Sequence, residues 1–423
     1  MKVLILTLGS RGDVQPYVAL GAALRDRGHA ITVSTGAGFE DLINLYGLTA
    51  APLSTNVREL MRDPAVQKAF RSLTGKFAAW RKYRNTFRTQ LSEWWAIARE
   101  VRPDVLVFHP KGAAAMHLAE KLRVPAIPAV VVPGLVATRE YPTIISPRAS
   151  LGAFGNQQSH RLLLWLTRQA TSGAFNQWRR DELELPPMSH RDPYGFYHPN
   201  GRPGPRLHGY SAQLQPKPGD WAEHEHVTGY WHLDQASGWR PSPELKAFLE
   251  TGPAPIFVSF GSMPTDNPAA LTRTVLAALK ATGQRGVLGL AWGGLQKIEA
   301  PEGVFFLEEA AYDGLFPRCA AVVHHGGSGT THEGLRWGRP TVVCPVLLDQ
   351  PYWGRRVHAI GAGPGPLPLR RHTAASLATA ITEALRAEVA ARAAQIGEAM
   401  RREPGAAEAA RLVEETALSA TKS

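Results

Sequence analysis

The sequence predicts an α/β protein built from two Rossmann-like halves that face each other across a cleft. The first indication is a strand–helix–strand unit at the N-terminus, where short apolar runs flank a helical stretch. The second is an equivalent unit that starts afresh at about residue 255. Because strands joined by such a helix pair in parallel through a right-handed crossover, each unit predicts its own parallel sheet.

The first half opens with a strand over 2–8, followed by a helix in which Pro16 suits the first turn. That helix stops near Gly28, and the next strand covers 30–34. The same alternation returns further along the chain. It predicts strands over 103–108 and 124–131, with a helix over 113–122 between them.

A stretch rich in proline and glycine between 200 and 220 separates the two halves, and aperiodic sequence continues to about residue 243. We therefore expect an N-terminal domain over 1–220, a linker over 221–243, a C-terminal domain over 244–400 and a helical tail over 401–423. The strands expected in the second domain cover 255–260, 286–290, 303–307, 320–325 and 341–344.

Composition excludes several classes of protein. With 44% hydrophobic and 20% charged residues, the 423-residue chain reads as globular. Its net charge of +11 suits an anionic partner, but no nucleic-acid motif accompanies the charge, and we expect no nucleic-acid partner. Cys319 and Cys344 lie in apolar surroundings, which argues against a disulfide framework and a cysteine metal site. No uncharged apolar run reaches the roughly 18 residues that span a bilayer, and 1–8 is too short for a signal peptide, so we expect a cytoplasmic protein.

The most informative segment is the run AVVHHGGSGTT from Ala321 to Thr331. A strand leads into a Gly/Ser/Thr turn and helical sequence begins at once, which brings free backbone N–H groups and the positive end of a helix dipole together. A diphosphate binds well at such a point, and glycine lets the backbone approach it closely. An ordinary tight turn is the alternative, although a turn does not require the two histidines and the hydroxyls. The run is not a Walker loop, because no lysine follows its glycines, and 9–13 does not match the dinucleotide fingerprint.

Four segments together resemble the family-1 glycosyltransferases. The glycine run, continued to DQPYWGRR at 349–356, is similar to the donor signature of that family. GSRGDVQP at 9–16 is similar to the first loop of its sterol glucosyltransferase branch, which also includes glycopeptide glycosyltransferases. VSFGSM at 258–263 and HVTGYW at 226–231 match two further blocks. The resemblance implies a GT-B fold, with an acceptor-binding N-terminal domain, a donor-binding C-terminal domain and inverting transfer from a nucleotide sugar.

The resemblance also implies roles for individual residues. Asp13 would be the general base, and Asp349 and Gln350 would hold the sugar hydroxyls. The residues implied to hold the diphosphate are His325, Gly327, Ser328, Gly329 and Thr330, with Gly261, Ser262 and Ser10 contributed by other loops.

These roles suit the chemistry of the residues, and each has a structural alternative. A carboxylate and an amide together accept and donate several hydrogen bonds to a sugar, but Asp349 and Gln350 could also cap their loop. Asp13 follows the first strand at the carboxyl edge where open α/β sheets bind ligands, yet it could cap the first helix, or do both. His109 and His117 are other possible bases, although histidines in such domains are more often structural.

Glu333 lies eight residues after His325, and a glutamate at that spacing holds the ribose hydroxyls in plant members of the family. The sterol branch usually has a small residue there, so this departure predicts a ribose contact. AYDG at 311–314 stands where the sterol enzymes have Pro-His-Asp-Trp, in a loop near the nucleobase of the donor. The donor nucleotide could therefore be TDP instead of the expected UDP. Because no Asp-x-Asp pair offers a seat for a metal-bridged diphosphate, we expect no metal and no cofactor beyond the nucleotide-sugar co-substrate.

On the acceptor side, apolar residues recur at helical spacings between 70 and 95, opposite a basic face. Such a helix could lie on the inner face of an anionic membrane or, as is commoner, pack on its own domain. We expect a small apolar acceptor such as a sterol or another lipid alcohol. Candidate contacts are Trp94, Trp95, Tyr141 and Phe154.

The expected function is therefore UDP-dependent, inverting transfer of glucose to a hydroxyl of an apolar acceptor. Two other functions stay open. A nucleotide-sugar 2-epimerase also pairs two Rossmann domains, but Asp349 and Gln350 argue against it. A non-catalytic nucleotide-sugar binder is less attractive because Asp13 is intact.

Overall fold

A computed structural model describes residues 1–56, 59, 63, 73–188, 197–201, 204–235, 239–261, 267–290, 294–299, 301–309 and 311–421, without the side chains of 73–84 and 371. Two parallel sheets organise this part of the chain, as the sequence predicts.

The first sheet has seven strands in the order β3-β2-β1-β4-β5-β6-β7. They are β1 (Lys2–Leu6), β2 (Ala30–Gly36), β3 (Thr49–Leu53), β4 (Val105–Phe108), β5 (Ala126–Val130), β6 (Arg206–His208) and β7 (Glu225–Val227). β1 and β4 are nearly continuous apolar runs because helices cover both faces of the sheet. Their parallel register places Leu6 beside Phe108, so the loops that follow these two strands leave the sheet side by side.

Five helices accompany the first sheet in the described residues. They are α1 (Arg11–Asp26), α2 (Glu40–Leu45), α3 (Leu73–Val101), α4 (Ala114–Leu122) and α5 (Gly152–Trp178). α1 packs on one face of the sheet, where Val14 and Tyr17 are fully buried. α3 and α4 pack on the other face, and a π-helical turn over Arg179–Leu183 continues α5.

The second sheet has five strands in the order β10-β9-β8-β11-β12. They are β8 (Ile256–Ser259), β9 (Gly286–Gly289), β10 (Val304–Leu307), β11 (Ala321–His324) and β12 (Thr341–Val343). The helices of this half and the C-terminal region are α6 (Pro243–Glu250), α7 (Pro268–Ala281), α8 (Tyr312–Leu315), α9 (Ser328–Arg336), α10 (Gln350–Ala359), α11 (Ala374–Ala384), α12 (Ala387–Arg401) and α13 (Ala406–Thr421).

Every strand that the sequence predicts is present, with ends that differ by at most two residues. β3, β6 and β7 were not predicted. β3 is an edge strand that contains Pro52, and β6 and β7 have three residues each, too few to show a period.

The C-terminal helix packs against the first half of the chain. β7 extends the first sheet into 221–243, the range predicted as a linker. Within the range predicted as a tail, α13 buries Ala409, Ala410 and Val413 in the same core cluster as α1. The last helix therefore belongs structurally to the first half.

The apolar stripe predicted over 70–95 falls on α3, and its described part faces inward. Leu91 and Trp94 are fully buried in the core of the first half, and Phe87 meets Phe175 of α5 edge-on with ring centroids 5.6 Å apart. These two residues pack on their own domain, the commoner of the two alternatives. Residues 70–72 and the side chains up to 84 lie outside the described residues. None of the described helices combines the length and apolarity needed to cross a bilayer.

Candidate active site

Asp13 lies in the first turn of α1, at the carboxyl edge of the first sheet. Its Oδ2 accepts hydrogen bonds from the backbone N–H of Ser10 at 2.8 Å and from the Ser10 hydroxyl at 3.1 Å. Gly9 has a φ of +145°, and a Cβ there would lie 2.1 Å from Asp13 Oδ2. Glycine is therefore required beside the carboxylate. One oxygen of Asp13 caps α1, and Ser10, an expected diphosphate ligand, is directed at this carboxylate.

The other carboxylate oxygen, Oδ1, faces two residues that follow β4. Lys111 donates to it from Nζ at 2.9 Å, and His109 Nε2 lies 3.4 Å away. The pairing of β1 with β4 brings these loops together. Sequence reasoning named His109 but missed Lys111. The available signal was that Lys111 directly follows a predicted strand, where ligand-binding residues of open α/β sheets lie.

The His109 ring faces Asp13 through Nε2, which lies 3.4 Å from Oδ1. Its Nδ1 accepts the backbone N–H of Lys111 at 3.0 Å, which leaves the proton of the neutral ring on Nε2, the atom that faces Asp13. Burial lowers the pKa of His109 to about 3, so the ring is neutral at physiological pH. His117 lies elsewhere, buried, with its Nδ1 3.0 Å from Nη1 of the buried Arg179. Neither histidine is placed to act as the base.

The charges around Asp13 keep it ionised. Burial raises the pKa of this carboxyl, but the positive charge of Lys111, a smaller electrostatic contribution from His109 and the hydrogen bonds from Lys111 and Ser10 outweigh that effect and lower it below its ordinary value. The Asp13 side chain is 22% exposed. Asp13 is thus a carboxylate at neutral pH, and each of its oxygens, although already engaged, can accept a further hydrogen bond.

The glycine run forms the opposite wall. β11 ends at His324, and α9 begins at Ser328 with Gly327 as its N-cap. Gly326 has a φ of +93°, and a Cβ there would lie 2.6 Å from Val343 Cγ1, so the turn needs glycine. In the first turn, the N–H groups of Ser328, Gly329 and Thr330 have no acceptor within the helix. The expected strand, turn and helix start are therefore present, and the diphosphate role of this helix N-terminus stays a prediction.

The His325 ring fits closely against two glycines. A Cβ on Gly261 would lie 2.8 Å from His325 Cε1, and a Cβ on Gly327 would lie 2.7 Å from Nε2. Burial lowers the pKa of His325 to about 4, so the ring is neutral. Its Nδ1 is buried and lacks a hydrogen-bond partner within the described part of the chain. A buried polar atom of this kind beside a helix N-terminus fits a phosphate ligand. Ser262, also expected here, lies outside the described residues.

Ser328 connects the two walls. Its hydroxyl donates to the carbonyl of Val131, just after β5, at 3.0 Å. This hydrogen bond fixes the start of α9 against the first half of the chain. It leaves the backbone N–H of Ser328, rather than its hydroxyl proton, for a bound diphosphate.

Asp349 and Gln350 lie at the start of α10, and the structure gives them different surroundings. Trp353 Nε1 donates to Asp349 Oδ2 at 2.9 Å. The side-chain oxygen of Gln350 accepts the N–H groups of Val346 and Leu347 at 2.8 and 3.1 Å, so it holds the loop after β12. The loop-capping alternative therefore applies to the side-chain amide oxygen of Gln350. Leu348, at a φ of +58°, keeps the backbone strained directly before Asp349.

The carboxyl group of Asp349 is buried, and its pKa responds to the charge of Asp13. Burial raises the pKa of Asp349 to about 6, the hydrogen bond from Trp353 opposes this, and the negative charge of Asp13 adds to it. The expected base and the expected sugar ligand therefore interact electrostatically.

Glu333 lies in the middle of α9, the helix whose first turn is expected to hold the diphosphate. Its Oε1 accepts from Trp337 Nε1 at 2.9 Å, and its Oε2 lies 3.2 Å from His232 Nδ1. Tyr230 stacks on His332, with centroids 5.0 Å apart. Each carboxylate oxygen can accept a second hydrogen bond, so Glu333 can still receive a ribose hydroxyl. His232 was missed because its proximity to Glu333 depends on tertiary contacts.

The four aromatic residues expected to contact an acceptor do not line one pocket. Trp94 is in the core of the first half, and Tyr141 packs against Tyr352 of α10 with ring centroids 5.7 Å apart. Phe154 is 72% exposed on α5.

Comparisons with known proteins agree with this geometry. Residues 3–142 match the family model described as "Glycosyltransferase family 28 N-terminal domain". Residues 292–416 match the one described as "Erythromycin biosynthesis protein CIII-like, C-terminal domain". The two matches fall on the two halves of the fold.

Similar sequences include two plant proteins and several fungal ones. The chain is 34% identical over 421 residues to the sterol 3-beta-glucosyltransferase UGT80A2 of Arabidopsis thaliana, covering 96% of this chain and 64% of that protein. It is 32% identical to UGT80B1 of the same organism, covering 97% of this chain and 67% of that protein. The sterol 3-beta-glucosyltransferase of Aspergillus terreus is 33% identical, and the match covers 97% of this chain and 29% of that protein. The chain thus spans less than two thirds of the first relative and a smaller share of the fungal one.

Solved structures agree on the fold. The glycotransferase of kitacinnamycin matches with a TM-score of 0.74 at 20% identity, covering 98% of both chains. The calicheamicin glycosyltransferase CalG4 matches with a TM-score of 0.68 at 19% identity, again covering 98% of both. The chain belongs to the glycosyltransferase family that includes the sterol 3-beta-glucosyltransferases, and its two Rossmann-like domains have the GT-B fold.

Proposed function

We propose that this protein is an inverting glycosyltransferase that moves glucose from UDP-glucose to a hydroxyl of an apolar acceptor such as a sterol or another lipid alcohol. The observation that carries the proposal is the partly exposed Asp13 carboxylate, held by Ser10 and Lys111, in the same half of the chain that receives the Ser328 hydroxyl of the glycine run at Val131. The names of the plant relatives support glucose as the sugar and a sterol as the acceptor class.

In the proposed reaction, Asp13 Oδ1 takes the proton of the acceptor hydroxyl as its oxygen attacks the anomeric carbon. The bond between that carbon and the diphosphate breaks on the opposite face, so the configuration inverts and a nucleoside diphosphate leaves. The free N–H groups at the start of α9 and the His325 ring stabilise the charge that develops on the diphosphate. Lys111 and His109 hold the Asp13 carboxylate in position. We propose that no metal and no further cofactor takes part.

We place the reaction at the cytoplasmic side of a membrane, where an apolar acceptor would be found. Within the helical stripe of 70–95, the proposed peripheral contact concerns the residues before Phe87, because Leu91 and Trp94 are buried. No nucleic-acid partner is proposed.

The proposed activity is tested by incubating the protein with UDP-glucose or TDP-glucose and a panel of sterols and other apolar alcohols. We expect release of UDP in step with a glucosylated acceptor of inverted configuration, measured by nucleotide assay, mass spectrometry and anomeric NMR. Epimerised sugar without transfer would make the protein an isomerase. Donor binding without turnover across the panel would make it a nucleotide-sugar binder.

Replacing Glu333 with Gln tests the ribose contact. A hydrogen bond from a hydroxyl to a charged carboxylate is worth more than one to an amide, so we expect KM for UDP-glucose to rise roughly ten-fold. KM for TDP-glucose should change less, because the deoxyribose of its thymidine lacks the 2′-hydroxyl. Glu398→Gln, at an exposed position of α12, is the matched control. Equal effects on both donors would show that Glu333 only orders Trp337 and His232.

A further inference from the structure

The first half of helix α5 presents large apolar side chains to solvent, whereas Phe175 and Trp178 near its end are buried in the core. Phe154, Leu162, Trp165 and Leu166 have exposed fractions of 72%, 56%, 56% and 50%. Leu162 lies eight residues after Phe154, and Trp165 and Leu166 follow Leu162 by three and four residues. These spacings place the four side chains on one face of the helix.

The opposite face of this first half buries polar side chains. Asn156 and His160 are buried; Asn156 Nδ2 donates to the carbonyl of Arg139 at 2.9 Å, and His160 Nε2 lies 3.0 Å from the carbonyl of Tyr141. A surface helix of a globular protein normally has the reverse arrangement. These hydrogen bonds fix the rotation of α5, so its apolar face stays outside.

This exposure is concentrated in one region. In the described part of the chain, nine large apolar side chains are exposed, and six of them lie between 145 and 166. Scattered exposed leucines are normal, whereas a cluster of this kind marks an interaction surface. We call the surface formed by residues 145–168 the α5 face.

The charge of the α5 face has a single sign. No aspartate or glutamate occurs between 141 and 180. Arg148 and Arg161 are exposed and Arg168 is half-buried, and within the described residues these three pair with no carboxylate. Apolar side chains with flanking arginines and no acidic residue are complementary to an anionic lipid surface.

We propose that the α5 face binds the surface of an anionic lipid bilayer, with Leu162, Trp165 and Leu166 inserted among the lipids and the arginines at the headgroups. A two-fold contact between copies of the chain would instead bring the same arginines together without an acidic residue to neutralise them. This like-charge repulsion favours the bilayer over self-association.

The α5 face is connected to the cleft. The loop that precedes α5 meets α10, where Tyr141 contacts Tyr352 and Arg355 Nη2 donates to the carbonyl of Ser146 at 3.2 Å. α10 starts directly after Asp349. If the proposed function is correct, a bilayer on the α5 face lies beside the helix that carries the sugar site, a suitable position from which to receive an apolar acceptor.

The test is co-sedimentation of the whole protein with vesicles of phosphatidylcholine alone or mixed with phosphatidylglycerol. We expect binding to the anionic vesicles, weakened by salt. Leu162→Ser/Trp165→Ser/Leu166→Ser should weaken it at least about ten-fold. Leu45→Ser/Leu418→Ser removes exposed apolar side chains outside the α5 face and should leave binding unchanged. Arg161→Gln/Arg168→Gln should remove the preference for phosphatidylglycerol.

Thermal unfolding of each variant checks that it is folded, and analytical ultracentrifugation follows the oligomeric state. Absence of wild-type binding to anionic vesicles, or equal binding by the triple variant and its control, would overturn the proposal. So would a triple variant that turns a dimer into a monomer while vesicle binding is unchanged, because the face would then join two copies. None of these readouts uses transfer activity, so failure here is distinct from failure of the proposed glucosyl transfer.

Discussion

Replacing Asp13 with Asn is expected to lower kcat by roughly 10²- to 10⁴-fold, the usual contribution of a general base. The amide oxygen can still accept the Ser10 N–H, so the cap of α1 is retained and the loss reports on proton transfer. The donor site is built from the other domain, and the affinity for UDP-glucose should therefore stay close to that of the wild type. Turnover of an apolar alcohol and calorimetric binding of UDP measure the two quantities separately.

The pH dependence gives an independent check on Asp13. Its lowered pKa means that the carboxylate persists as the pH falls through the range where an ordinary aspartate takes up a proton, so kcat/KM should decline only at lower pH. Lys111→Met removes the positive charge 2.9 Å from Oδ1, which raises the pKa and moves this decline to higher pH. Normal turnover by the Asp13→Asn variant would mean that Asp13 only caps the helix.

The position of Asp13 could be predicted because the carboxyl end of a strand is visible in the sequence. Its partners could not. Lys111 and His109 meet it because β1 and β4 are neighbours, and strand order is a tertiary property that no local pattern specifies. The sequence therefore predicted the carboxylate and left out the cation that lowers its pKa.

For the glycine run, too, the local structure could be predicted and the tertiary contacts could not. Its strand, turn and helix follow from local sequence, and the structure has them where they were expected. The hydroxyl of Ser328 is engaged by Val131, 197 residues earlier, which cannot be read from the run itself. Similarly, periodicity identifies an amphipathic stripe such as that of α3, but it cannot say which face turns inward. α5 is the clearest case, since the apolar face of its first half is outside.

Replacing His325 with Ala should lower kcat/KM for the donor roughly 10- to 100-fold, the cost of losing one hydrogen bond to a charged group. Because the charge on the leaving diphosphate grows along the reaction, kcat should fall as well as affinity. The contribution of this ring does not depend on protonation. With a pKa of about 4 the ring is neutral across the physiological range. The pH dependence of UDP affinity in that range should therefore be the same in the wild type and in the His325→Ala variant.

Gly327→Ala separates the imidazole itself from its position. The added Cβ would lie 2.7 Å from His325 Nε2, closer than such contacts occur, so the ring must shift although its chemistry is intact. Gly365→Ala is the matched control, because a Cβ there has no atom within 4 Å. If Gly327→Ala loses donor affinity to the same extent as His325→Ala while the control does not, the position of the neutral ring determines diphosphate binding. If His325→Ala alone is impaired, the ring can contact the diphosphate from the shifted position. Wild-type affinity in both variants would leave the N–H groups of α9 to hold the diphosphate without His325.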